Sequence, residues 1–563
     1  MAPFIRRRIL LITNVECGEL DVFLATAQAL LEADPGLDLH LATFLGVDDD
    51  VLPVGVTYHQ INGISMYQAL EEHYARTPEE GSISEPLDGP PGFSKTRRAI
   101  RAYAAHIMPY TGRQMVDVFT SIVDIIRNLN PDLVVVDSLM SAGLTACYHL
   151  EVKFVCLGPN AIKDFAASEQ PRKAGLWKFP ALFSRFEYPV PWTKVMLNIH
   201  FSWYTAKAIK NDPQRKEVQS YLTAHTILRG PLDLLKNRPE GVKILVSSLP
   251  ELDFPLVVPS HVIPCGPIIR RCQPLEETDA KLAEWLAHGR TIYVNMGSVV
   301  KVPVDQAIEI AKALKAVIDI FNRQTEKGRL QALWKLKKRG RYSVYEPTCS
   351  IAKILRSEFA HDRVRIVDWI QPEPVSILRT GNVICSIHHG GANSFNEAIV
   401  AGVPQLVLPV WGVNYDYAQR VERLGVGRCG NRSSQPRWST EEVTRELLHV
   451  LVGDDAVIMK QQAAAVKKIC KQNGSGADCA AIAILNECEI EDSMWLTIQN
   501  HTNMNAKAHV DYPYRIAKLA VAQRRPQSLE DVHSAITKHK RTENHDSSWQ
   551  RRIQQKHPNV LIG

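Results

Sequence analysis

Short apolar runs that stop abruptly at a small or polar residue recur along this chain, and helical spacing follows most of them. RILLITNV (8–15), LDLHLATF (37–44), PDLVVVDSL (131–139) and VKFVCLG (152–158) form one series. TIYVNMGSV (291–299), QALWKLKK (331–338), VRIVDWI (364–370), VICSIHHGG (383–391) and PQLVLPV (404–410) form a second. Runs this short, apolar on both alternating faces, are buried strands. Segments such as LDVFLATAQALLEA (20–33) carry helical spacing between them, which makes the units βαβ. Parallel strands joined this way need helices on both faces. The expected fold class is therefore α/β: two open parallel sheets in series, facing a cleft. In such sheets ligands sit beyond the carboxyl ends of the strands.

A length of 563 residues suits several domains. The rhythm divides the chain into a first half over 1–255, a linker over 256–280 that includes VIPCGPIIR, and a second half over 281–495. Residues 496–563 are polar, basic and without period, and are expected to be disordered or loosely attached. Residues 170–240 break the rhythm with prolines and aromatics. They either line the ligand cleft or form an inserted helical pair with its own core.

The formal net charge is +6, and residues 501–563 alone hold eleven Lys/Arg against five Asp/Glu, an excess of the same size. The rest is near neutral, which argues against a nucleic-acid-binding body. Eleven cysteines are scattered singly, with no zinc-ligand spacing, as expected of a reducing, cytoplasmic location. The opening MAPFIRRRILLITNVECG is expected to enter a first strand, since its apolar run is too short for a signal peptide. No run reaches the ~18 apolar residues of a membrane span. Asp48-Asp49-Asp50 is expected to be a solvated turn, and no metal site is expected.

The most informative stretch is IHHGGANSFNEAIVAGVPQLVLP (387–409), where a strand hands over to a helix. A helix start leaves backbone N–H groups unpaired and carries partial positive charge. Glycines let a bulky anion approach, and Asn393 and Ser394 can cap or donate. His389 adds a donor, and one turn on, Glu397 can accept from paired hydroxyls such as those of a ribose. The pattern is a cradle for a phosphorylated or nucleotide ligand.

Together with DWIQPEPVSIL (368–378) and VWGVNYDYAQRVERLGVG (410–427), this stretch resembles the donor-binding signature of the UDP-glycosyltransferases. The likeness extends to IYVNMGSV, ALWKL, the CGPI link and the turn after the first strand, and so to most of residues 8–490. HHGGANS and YDYA most resemble the fungal small-molecule enzymes. The resemblance implies a GT-B fold, two Rossmann-like domains facing a cleft, and inverting transfer without metal or other cofactor, the UDP-sugar being a co-substrate. It implies that Trp369 stacks on uracil, that the Ile370 backbone bonds its edge, and that Glu397 holds the ribose. Ser298, His389, Gly391, Asn393 and Ser394 then bind the diphosphate. The chain departs from the family in placing Gln371-Pro372 after Trp369–Ile370, and Val413 and Asn414 where an acid and a polar residue are usual. The acid that grips the sugar is thus absent or displaced onto Asp416.

In the family a histidine after the first strand is the base, oriented by an aspartate from a later strand. Asp137, at the end of LVVVD, matches the aspartate, but Glu19 stands where the histidine belongs and Glu16 lies three residues earlier. Either Glu19 or Glu16 is the base, assisted or replaced by Asp137, or both merely stabilise a helix start. A helix start lowers a carboxylate's pKa and weakens it as a base. A weak base suits an acidic acceptor, a phenol or carboxylic acid. The expected partners are a UDP-sugar, with glucose as default, and a small lipophilic hydroxylated acceptor of phenolic or polyketide type. The alternatives are a nucleotide-sugar-binding protein with degraded catalysis, and a sterol or lipid glycosyltransferase whose basic tail touches a membrane surface.

Overall fold

The apolar runs become strands because they are buried on both faces, as in Leu133–Asp137 and Phe154–Gly158, where no residue is exposed. The computed structural model of the chain describes residues 7–47, 52, 55–77, 92–226, 238, 241–324 and 329–489. The Asp48-Asp49-Asp50 turn and the 496–563 tail lie outside the described residues.

The first sheet contains β1 (Arg8–Ile12), β2 (Asp38–Thr43), β3 (Val56–Gln60), β4 (Leu133–Asp137), β5 (Phe154–Gly158), β6 (Ile244–Val246) and β7 (Val262–Pro264). They pair in parallel in the order β3-β2-β1-β4-β5-β6-β7. The second contains β8 (Arg290–Asn295), β9 (Leu330–Lys335), β10 (Val364–Val367), β11 (Val383–His388), β12 (Gln405–Val407) and β13 (Gly427–Cys429). It is also parallel, in the order β10-β9-β8-β11-β12-β13. Both orders start at a central strand, run outward and then switch sides, and the crevice at such a switch point is where ligands bind.

Alternate residues of one strand serve opposite cores. Ile9, Leu11, Leu133 and Val135 face helix α1 (Cys17–Ala33), while Leu10, Ile12, Val134 and Val136 belong to the core beneath helix α4 (Gly112–Leu129). Helix α4 offers Met115, Val118, Phe119, Ile122, Val123 and Ile126 to that core, a stripe at helical spacing. A capping box between Thr111 and Gln114 starts it.

Two expectations need correction. The 256–280 segment is not only a linker, since Val262–Pro264 completes the first sheet as β7. The second half does not run unbroken to 495, because the Gly476–Glu489 helix returns to the first half. There its Ala477, Ala480, Ala481 and Ile484 join the core under α1. Within 170–240 the helices Val195–Asn211 and Pro213–Thr226 lie against α3 (Phe93–Ile107) and α4, with Ile100, Phe183, Phe186 and Phe201 in a core of their own. The preceding irregular stretch reaches the second half, where Arg185 Nη1 donates to the Gln435 carbonyl at 2.8 Å. Among the described residues, no helix is long and apolar enough to cross a membrane.

Candidate active site

The carboxyl ends of both sheets meet at the cleft. In the first half, β4 ends at Asp137, which is fully buried. Leu139 N donates to its Oδ1 at 2.8 Å, and Thr13 Oγ1 and Asn14 Nδ2 donate to its Oδ2, each at 3.3 Å. Burial raises its pKa, and these donors work against the rise without cancelling it.

Glu19 lies in the first turn of α1, partly buried. Desolvation, then the charges of Asp137 and Glu16, lift its carboxyl well above the ordinary range. Its own backbone N–H pulls the other way and is outweighed. This corrects the expectation that a helix-start position makes Glu19 a weaker base. Desolvation among like charges is the stronger effect here. Glu16 has another duty. Its Oε1 accepts from Tyr67 N at 2.8 Å and Ser65 Oγ at 3.0 Å, at the start of the Met66–Arg76 helix. It anchors one helix to another and adds negative charge beside Glu19.

In the second half, β11 ends in two histidines with different tasks. Gly390 N donates to His388 Nδ1 at 3.1 Å, which puts the ring proton on Nε2, facing Gln405 Oε1 at 2.8 Å. His388 is therefore an interior strut. The His389 ring fills a slot between two glycines. A β-carbon at Gly297 would lie 2.5 Å from its Cε1, and one at Gly391 would lie 2.6 Å from its Nε2. His389 Nδ1 is buried without a hydrogen-bond partner among the described residues. Burial, with His388 and Lys335 nearby, pushes its pKa down to about 3, so it is a neutral imidazole with one N–H to donate.

Gly391 caps the Ala392–Ala401 helix, and no side chain closes the helix start. Ser298 follows the β8 end, two residues after Met296, and is partly exposed. Ser394 is partly buried in the first helical turn. Asn393 reaches over the cleft, its Nδ2 donating to the Gly18 carbonyl at 3.2 Å. Glu397, one turn further, is lifted well above the ordinary carboxylate range by burial and by Asp21 and Glu373. Trp369 stands half exposed after β10, and Ile370 beside it packs on the second-half core.

Two findings alter the expected donor set. Asp416 is buried on the Asn414–Arg423 helix and is ion-paired with Lys163 of the first half. Its Oδ2 is held by that pair. A residue that the sequence did not single out, Lys335, ends β9 in line with Asn295 of β8 and Val367 of β10. It is 8% exposed, with Nζ 4.3 Å from the centre of the Trp369 ring. Burial lowers its pKa, while the Cys17 and Glu397 charges hold it up. The available signal was a lysine inside an otherwise apolar run, QALWKL.

The arrangement opposes a carboxylate pair on one sheet to an anion cradle on the other, which suits transfer of a group from a diphosphate. Residues 354–472 match the family model described as the C-terminal domain of erythromycin biosynthesis protein CIII-like proteins. The chain is 32% identical over 449 residues to the glycosyltransferase sdnJ of Sordaria araneosa, covering 76% of this chain and 84% of the relative. It is 28% identical over 236 residues to a UDP-glycosyltransferase of Talaromyces amestolkiae, over 41% of this chain and 43% of that one. Among solved structures it resembles an indoxyl-glucosylating UDP-glucosyltransferase from Polygonum tinctorium, with TM-score 0.54 and 16% identity over 86% of this chain and 99% of that one. That likeness fixes the fold as GT-B. With the relation to sdnJ spanning most of both chains, the protein belongs to the UDP-glycosyltransferase family.

Proposed function

We propose that this enzyme transfers glucose from UDP-glucose to a hydroxyl of a small lipophilic acceptor, a phenol or a polyketide-type metabolite, with inversion and without a metal. The observation that carries the proposal is the hydrogen bond from Asn393 to the Gly18 carbonyl, which holds Glu19, the next residue, against the cradle of the other half. In the proposed step Glu19 takes the acceptor hydroxyl proton. The oxygen forms a bond to the anomeric carbon, and the bond from that carbon to the diphosphate breaks with its electron pair leaving on UDP. Glu19 and the cradle belong to opposite halves, which suits attack from the face opposite the leaving group and a single displacement that inverts the centre. An oxocarbenium-like state lies between, as in glycoside hydrolysis.

The leaving diphosphate is met by the helix start at Ala392, by the His389 N–H, by the Ser298, Asn393 and Ser394 side chains, and by the Lys335 ammonium. This counter-charge from the chain itself supports transfer without a divalent ion. Trp369 has Lys335 over its ring, and we assign uracil to its open face, the Ile370 backbone to the uracil edge and Glu397 to the ribose hydroxyls. A base with a raised pKa is matched to a phenolic proton better than an ordinary glutamate. Eleven free cysteines fit action in the reducing cytoplasm.

Incubation with UDP-glucose and a phenol panel tests the proposal by UDP release and by the anomeric configuration of the product. A β-glucoside is expected. An α-glucoside, or UDP release that no phenol stimulates, overturns it.

A further inference from the structure

Four tryptophans are exposed among the described residues. One is Trp369 of the cleft, and the other three, Trp177, Trp192 and Trp203, share one short segment of the first half. Trp192 is 86% exposed and Met196, one turn later, is 78% exposed. On the Val195–Asn211 helix, Met196, Trp203, Lys207 and Lys210 are spaced by seven, four and three residues and so lie on one face. Asn198 and Phe201, on the opposite side, are buried.

Charge identifies the occupant of this face. Residues 170–211 hold seven Lys/Arg and a single acid, Glu187. Arg172, Lys173, Lys194, Lys207 and Lys210 are exposed, and Lys207 Nζ lies 4.9 Å from the centre of the Trp203 ring. Indole rings with lysines around them suit the boundary between lipid headgroups and acyl chains, where the ring enters and the ammonium stays with phosphate. A second copy of the chain would bring the same positive face against itself.

We propose that residues 192–210 form a docking face for an anionic lipid bilayer, with Trp192, Met196 and Trp203 inserted at the headgroup level. The helix lies on the membrane rather than crossing it. The other side of the segment borders the cleft, where Leu182 and Phe183 pack against Gly412 of the second half and Gln419 Nε2 donates to the Phe186 carbonyl at 2.9 Å.

The test is sedimentation of the full chain with vesicles of phosphatidylcholine alone and of phosphatidylcholine with phosphatidylglycerol. About tenfold more protein should sediment with the anionic vesicles at low salt, and the difference should shrink as salt rises. Trp192→Ala/Trp203→Ala and Lys194→Glu/Lys207→Glu/Lys210→Glu should each abolish most of it while leaving UDP affinity unchanged. Sedimentation that ignores lipid charge overturns the proposal, as does binding that survives both variants and so arises in another part of the chain. A dimer that the tryptophan variant dissociates also overturns it, because that would make the face a self-association surface.

Discussion

Asn393 and Gly18 join the two sheets at the point where chemistry is expected: the amide of one donates to the carbonyl of the other at 3.2 Å. Gly18 precedes Glu19 in the chain, and Asn393 lies two residues after Gly391, whose approach to His389 shapes the anion cradle. The proposed base and the proposed leaving-group site are therefore registered to each other through one hydrogen bond.

Glu19→Gln should lower kcat by about 10²–10⁴, the usual worth of a positioned general base, with little change in KM for the UDP-sugar. Glu16→Gln should act differently. It loosens the contact with the Met66–Arg76 helix start and withdraws a charge from Glu19, so part of the activity should survive. Steady-state kinetics on both variants checks this, and equal losses would deny Glu19 a distinct role.

The pH profile should follow from the raised Glu19 pKa. The base works ionised, so kcat/KM should rise with pH through an apparent pKa above the ordinary ~4.3 of a glutamate. Asp137→Asn removes the negative charge that raises Glu19 most and should move that limb to lower pH, although its amide also disturbs Thr13 and Asn14. A limb that stays put or moves up would show that Glu19 is not the group titrating.

Gly297→Ala should weaken UDP binding by about tenfold or more, roughly the ~1.4 kcal/mol of one good hydrogen bond. The added methyl group meets the His389 ring, and φ at Gly297 is +81°, where other residues are strained. His389→Ala should lose a similar amount. The double variant, titrated calorimetrically, should lose hardly more than His389→Ala alone, because both act through one ring.

Lys335→Met should cost about tenfold in UDP affinity and much less in affinity for uridine. The comparison separates a charge contact with the diphosphate from a change in the Trp369 platform. Equal losses for both ligands would assign Lys335 to the platform.

Asp253 lies in a buried set of charges between the halves. Its Oδ1 accepts from Arg420 Nε at 2.9 Å and Nη2 at 2.7 Å, and its Oδ2 accepts from Lys163 N at 2.9 Å. Asp253→Ala leaves a buried guanidinium unpaired and should cost about 3–5 kcal/mol in urea unfolding. Asp253→Ala/Arg420→Met should recover part of that loss.

What the sequence disclosed is what neighbouring residues decide among themselves. Strands such as LVVVD announce themselves by apolar runs, and the junction at His388–Gly391 by its glycines and its helix start. What it concealed depends on partners far along the chain. Glu19 looked like a weak base because its helix start was in view and its burial, the largest cause of its raised pKa, was not. The pairing of Asp416 with Lys163, 253 residues away, was likewise out of view. Lys335 was hidden inside a strand whose end becomes part of the cleft only when β8 and β10 flank it.

The return of the Gly476–Glu489 helix to α1 bears on how the chain is made. The second half draws its strands and helices from one continuous stretch and can close its core as that stretch leaves the ribosome. The first half emerges earlier, yet one flank of α1 stays uncovered until the last of those helical turns has been translated. The part synthesised first is thus completed last, and a chain ending near residue 475 would carry a complete second half beside an unsealed first half.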